Sequence, residues 1–193
     1  MSGVIDITPM EPLAERNAVL GLSLFHLNGL GAGHFADARG QWLLSGRHSN
    51  LDMLADLLRS RAGDARYSDL FGRVAWALDD DTSFFAGALV SDDKLDSRTV
   101  DEAERLSATY RNRYLWAGWR QEWGGGLSSR AILALTDIDN ERTGSVDRQG
   151  RQSGWISDDR NLDVTILRVD VEHRGEGLYS RFGGEVRESH GRY

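Results

Sequence analysis

Residues 114–139, YLWAGWRQEWGGGLSSRAILALTDID, alternate in polarity on either side of a triple glycine. Side chains of an extended strand point to opposite faces in turn, so a period of two organises a strand and scatters around a helix. Leu115, Ala117, Trp119 and Trp123 share one face; Tyr114, Trp116, Gly118, Arg120 and Glu122 take the other. Gly124, Gly125 and Gly126 supply the backbone freedom of a tight reversal. The stretch therefore predicts a β-hairpin. Each arm is about ten residues, the reach of a tilted strand across a bilayer. Two settings satisfy the pattern. One is a transmembrane β-barrel, with apolar residues outward, polar residues inward and aromatic girdles at the interfaces. The other is a hairpin of a soluble sandwich or barrel, and alternation alone does not separate them.

The rest of the chain repeats the theme. Residues 18–25 (AVLGLSLF), 30–36, 41–49 and 82–91 read as strands, and Leu70, Gly72, Val74, Trp76 and Leu78 share a face in another. Residues 37–40 and the run Asp79, Asp80, Asp81 read as turns. Residues 161–173 and 178–188 form a last hairpin around Arg174 to Gly177, for about nine strands in all. Leu51, Leu54, Leu57 and Leu58 fall at helical spacing behind Asn50, which predicts a short loop helix over residues 50–61. Residues 92–107 and 140–160 are polar and read as long loops. From residue 41 onward the connections thus alternate long and short. A barrel with long outer loops and short periplasmic turns has this asymmetry, and a soluble meander has no reason to keep it.

Composition closes other routes. With 23 basic and 30 acidic side chains the net charge is -7, which argues against a nucleic-acid partner. There is no cysteine, hence no disulfide framework or thiolate metal site. No apolar run approaches the length of a spanning helix, so a membrane role requires a barrel. The opening MSGVIDITPMEP lacks the basic-then-apolar order of a signal peptide.

The chain resembles TonB-dependent outer-membrane receptors. The run Ser2, Gly3, Val4, Ile5, Asp6, Ile7 resembles the segment that closes the plug domain of that family, and AVLGLSLF stands where the family's barrel begins. RYLWAGWRQEWGGGLSSRAILALTDIDNERTG, DDRNLDVTILRVDVEH and LYSRFGGEVRES look like successive barrel strands. The resemblance implies an all-β, up-and-down antiparallel meander: residues 1–12 the end of a plug and its connection, residues 13–193 the first part of a barrel. It implies outer-membrane lipid around the wall. A small nutrient such as an iron chelate or cobalamin would be the ligand, and the TonB complex would act through an N-terminal part of the parent. The expectation is a fragment, truncated at both ends, of a transporter in the cell outer membrane. The alternatives are a complete small outer-membrane barrel and a soluble lipocalin-like binding protein.

No catalytic residue, cofactor or metal ligand is expected. His26, His34, His48, His173 and His190 are scattered without metal-site spacing. Residues 137–141, DIDNE, resemble the start of a calcium loop, but Arg142 stands where that loop requires glycine. Asp158 and Asp159 read as solvated loop acids. Gly29, Gly31 and Gly33 lie in a hairpin and not before a long helix, so a nucleotide site is not indicated. Trp116, Trp119 and Trp123 read as interface girdle. Family ligands bind at outer loops and the plug apex, which points to residues 92–107 and 140–160 as regions and to no single contact.

Overall fold

The computed structural model describes residues 17–49, 64–98, 104–148 and 152–192. They form nine strands: β1 (Asn17–Leu22), β2 (His26–Phe35), β3 (Gly40–Ser49), β4 (Asp64–Ala77), β5 (Thr82–Arg98), β6 (Glu104–Gly124), β7 (Leu127–Arg148), β8 (Gln152–Gly175) and β9 (Leu178–Arg192). Each pairs antiparallel with the next, in one sheet ordered as in the sequence. The sheet is all-β among the described residues and is not closed; β1 and β9 are its edges. Among the described residues no second layer covers either face. Among the described residues the buried apolar side chains are Ala32, Leu43, Ala108 and Val164, too few and too small for the core of a soluble domain.

Turn chemistry sets the short connections. Gly124, Gly125 and Gly126 have φ of 81°, 59° and 78°, a left-handed run that side chains resist. The Gly126 carbonyl accepts the Arg174 N–H at 2.8 Å, which ties this turn to the neighbouring strand. Between β4 and β5, Asp79 Oδ1 accepts the backbone N–H groups of Asp81 at 3.0 Å and Thr82 at 2.6 Å, the local bonding that suits aspartate to turns. The β2–β3 turn instead places Ala36, Asp37 and Ala38 at φ of 52°, 55° and 67°. With side chains present, each such residue costs about 1–2 kcal/mol.

The expected strands, the central hairpin and the short turns are all present, and the strands are longer than the alternation suggested. Residues 92–107 are not a loop for most of their length: β5 runs on to Arg98 and β6 starts at Glu104. Residues 140–160 are likewise almost all strand, in β7 and β8. Their polarity misled because their apolar residues, among them Leu95, Leu106, Trp155 and Ile156, are too sparse to make the continuous apolar face that normally marks a strand. They are held by the ladder itself, for example Asn140 opposite Arg160 and Gly144 opposite Ile156. The helix expected at 50–61 and the plug segment expected at 1–12 lie outside the described residues.

A Cβ added at Gly126 would collide with the backbone of Arg174, whereas at Gly125 it would meet open space. Gly125→Ala should therefore cost about 1 kcal/mol for its left-handed φ alone, and Gly126→Ala clearly more. Denaturant unfolding of the two variants checks the order.

Candidate functional site

The strands bend toward one face. Side chains of that face, contributed by strands from β2 to β9, line a single cavity of about 620 Å³. Across it, residues two strands apart touch. Phe71 on β4 reaches Trp116 on β6 with ring centroids 6.0 Å apart. The Arg130 guanidinium on β7 lies 5.2 Å from the ring centroid of Phe85 on β5. Both contacts pass over glycines of the intervening strands: Trp116 occupies the space a Cβ at Gly87 would need, and Phe85 that of Gly118. Glycines at such positions let an aromatic ring lie flat against the sheet and let the sheet curve. Curvature also explains burial along β6, where the concave-face residues Tyr114 and Trp116 are half-buried while Leu115 and Ala117 on the convex face are exposed.

The convex face carries the apolar residues. Leu115 is 54% exposed and Val186 is 71% exposed, and Leu44, Leu70, Leu133 and Leu167 are similarly open. Together they make a band that crosses the sheet obliquely. One hydrogen-bonded row reads Leu20, Gly29, Gly46, Leu70, Val90, Arg113, Asp137, Asp163, His190 from β1 to β9. It is free of charge through β5 and ionisable from β6 onward. A row nearer the short turns reads Thr82, Gln121, Ser129, Val171, Phe182, polar on β5 to β7 and apolar on β8 and β9. The charged border thus drops across the sheet, while the short-turn border is interrupted by Thr82, Gln121 and Ser129 and is apolar again on β8 and β9. From Leu22 on β1 to Val186 on β9 the border drops by about six residues over eight strand spacings, a lean of roughly 30° at about 3.3 Å per residue and 4.8 Å per strand. On β5 the band runs from Phe84 to Val90, which at that lean is roughly 17 Å high, and on β6 Trp123 extends it past Gln121 to roughly 23 Å.

Each border has its own chemistry. At the short-turn side, Trp76, Phe84 and Trp119 are direct cross-strand neighbours, and Phe35 lies in the same row beyond Gly40. Trp119 packs edge-on to Trp123 with centroids 6.2 Å apart, and the Trp123 indole N–H donates to Ser129 Oγ at 2.9 Å. The opposite border has no aromatic belt among the described residues; Val90, Leu115 and Leu135 give way at once to Asp92, Arg113 and Asp137. Arg113 meets Asp137 at 3.5 Å, and Arg111 bridges Asp92 at 3.7 Å and Asp139 at 3.3 Å. Farther along the extensions, on the other face, Asp158 accepts from Arg142 and from Arg160 Nε at 2.7 Å.

These placements settle several expected residues. Trp119 and Trp123 sit on the convex face at one border. Trp116 does not join them and packs against Phe71 in the concavity. Residues 137–141 are continuous strand, with Asp137, Asp139 and Glu141 on one face and Ile138 and Asn140 on the other, so no calcium loop forms there. Asp158 is engaged by arginines and is not a free loop acid. His48 Nδ1 lies 2.7 Å from Ser68 Oγ, His26 Nδ1 lies 3.3 Å from Ser23 Oγ, and His34 faces the cavity. Among the described residues no three His, Cys, Asp or Glu side chains are grouped to hold a metal. Residues 29–33 are strand β2. The charged rows were missed in the sequence because pairs such as Arg142 and Asp158 become neighbours only through strand register. Comparison with known protein families, curated proteins and solved structures finds no match.

Hydrogen bonds from Arg142, and next from Arg160, hold the Asp158 carboxyl below the usual carboxylate range. A depressed carboxylate stabilises the fold above its unfolded pKa and loses that contribution as pH falls through the folded value. Amide-exchange protection at the ends of β7 and β8 should therefore fall as pH drops below about 4. Asp158→Asn should remove that part of the pH dependence.

Proposed function

We propose that this chain forms a stretch of the wall of an outer-membrane β-barrel, part of a TonB-dependent receptor that takes up a small nutrient. The observation that carries the membrane reading is the oblique apolar band on the convex face of a sheet whose concave face mixes polar, charged and aromatic side chains. A lipid-exposed barrel wall needs an apolar band about 25 Å tall on its outer surface and strands tilted by about 35–45°. The lean of roughly 30° lies a little below that range, and the height approaches about 25 Å where Trp123 extends the band past Gln121. A soluble sheet that left Leu115, Leu133, Leu167 and Val186 in water would forgo about 1.5–3 kcal/mol at each. A lipocalin-like protein would turn its apolar face inward, the reverse of the curvature seen here.

The aromatic row beside the short turns suits a periplasmic interface, where Trp rings sit at headgroup level. Strand extensions beyond the band, from Leu115 back to Glu104 and from Leu135 on to Arg148, then project outside the cell. Largely polar on both faces, they need water on both sides. The edges β1 and β9 would be paired with further strands of the wall, since unpaired ladder groups are not tolerated in hydrocarbon. Nutrient uptake and coupling to TonB rest on the resemblance of residues 2–7 and of the strand order to the receptor family. In that setting the wall is a rigid, polar-lined enclosure, and the energy enters elsewhere.

The absence of cysteine makes the membrane reading easy to test by single-cysteine labelling of protein reconstituted in liposomes. A cysteine at Leu133 should resist a water-soluble maleimide and report quenching by brominated lipid. One at Asp159, on the same face beyond the band, should label freely and escape quenching. Equal labelling at the two sites would overturn the proposal.

Charge placement gives an independent measure. Leu133→Arg, in mid-band, should weaken folding into bilayers by about 2–4 kcal/mol. Ser157→Arg, beyond the band on that face, should change it little. Urea titration of the lipid-folded variants reads the difference.

A further inference from the structure

We infer that the concave face carries an anion-binding cup near the short-turn ends of the strands, suited to a soluble molecule bearing two or more phosphate or carboxylate groups. The inference depends on the curvature of the sheet and not on the membrane assignment. The cavity of about 620 Å³ is lined by six arginines and two acids, Asp170 and Glu172, in a chain that is acidic as a whole. The cup is therefore cationic against the charge of its own protein.

Two of its arginines are not neutralised from within, although Arg174 and Arg181 pair with Glu172 at 3.4 Å and 3.5 Å. Asp170 lies directly across from Arg130 in the ladder, yet it is chelated by Arg168, at 2.8 Å to Nε and 3.1 Å to Nη2, and approached by Arg181 at 3.3 Å. Arg130 is left against the Phe85 ring, with no carboxylate partner among the described residues. Arg73, three strands away in the same cavity, has none either. Arg120 sits directly opposite Arg130, a like-charge pair that is unfavourable in a ladder, and turns aside to Glu122 at 2.7 Å. Two guanidiniums thus face one cavity with their donors free, and Ser83, Ser128 and Gln41 add neutral hydrogen-bonding groups around them. Guanidinium forks match the paired oxygens of phosphate and carboxylate, and the cavity has room for more than one such group.

Isothermal titration of the full chain folded in neutral detergent micelles, at low salt, tests the assignment. Inorganic pyrophosphate serves as the phosphate probe and citrate as the carboxylate probe. Saturable one-site binding of at least one probe is expected, weakened about tenfold by Arg73→Gln or by Arg130→Gln, since each removes a charge-assisted bond. Arg111→Gln, on the convex face, should leave affinity unchanged. The relative strength of the two probes tells which oxyanion chemistry the cup prefers. Absence of saturable binding by either probe, or equal loss in the Arg111 variant, overturns the site. Failure of the cysteine labelling alone would leave it standing.

Discussion

A backbone amide or carbonyl removed from water must find a partner, and in this chain almost every one finds it in the adjacent strand. The unbroken antiparallel ladder from β1 to β9 is the constraint on which the rest depends. Because all pairing runs sideways, nothing in the ladder brings a second layer onto either face. Each face is then free to meet a different surrounding, and alternation along the strand assigns each side chain to one of them. Among the described residues stability does not come from a shared core, because the sheet encloses none there. It has to come from whatever contacts the convex and concave surfaces.

Curvature converts two equivalent faces into an inside and an outside. Phe71 with Trp116, and Phe85 with Arg130, span intervening strands because Gly87 and Gly118 offer no side chain there. Those contacts gather the larger concave-face groups over small ones and leave the convex face spread. The convex side chains lose little area to one another. Leu115 and Val186 remain open for that reason, and a hydrocarbon environment is the natural complement to them.

The oblique course of the apolar band follows from register. Strand-by-strand pairing places Val90 beside Arg113 and Ser129 beside Val171, so the apolar stretch lies at a different height on successive strands. An apolar band crossing inclined strands is the relation that a closed barrel demands between tilt and stagger. The same register sets charges against each other beyond the band. Arg111 falls between Asp92 and Asp139, and Arg142 falls against Asp158. These exposed pairs contribute little individually, yet they give polar strands a side-chain order that water alone would not impose.

The all-β class, the meander, the short turns and the faces of the central hairpin were legible because each rests on local chemistry. Period-two alternation, the triple glycine and the Asp79 turn are written within a few residues of one another. Residues 92–107 and 140–160 were misread as loops because local polarity has no way to signal a strand whose partners supply all its pairing. The separation of Trp116 from Trp119 and Trp123 was visible in the alternation; its packing on Phe71 was not, since those two residues meet only across a curved sheet. The sequence by itself determined which side chains share a face. Only the tertiary structure decided which face is concave, how the apolar band leans, and which arginines of the cavity are left without a carboxylate, because curvature and register are set by contacts between strands distant in the chain.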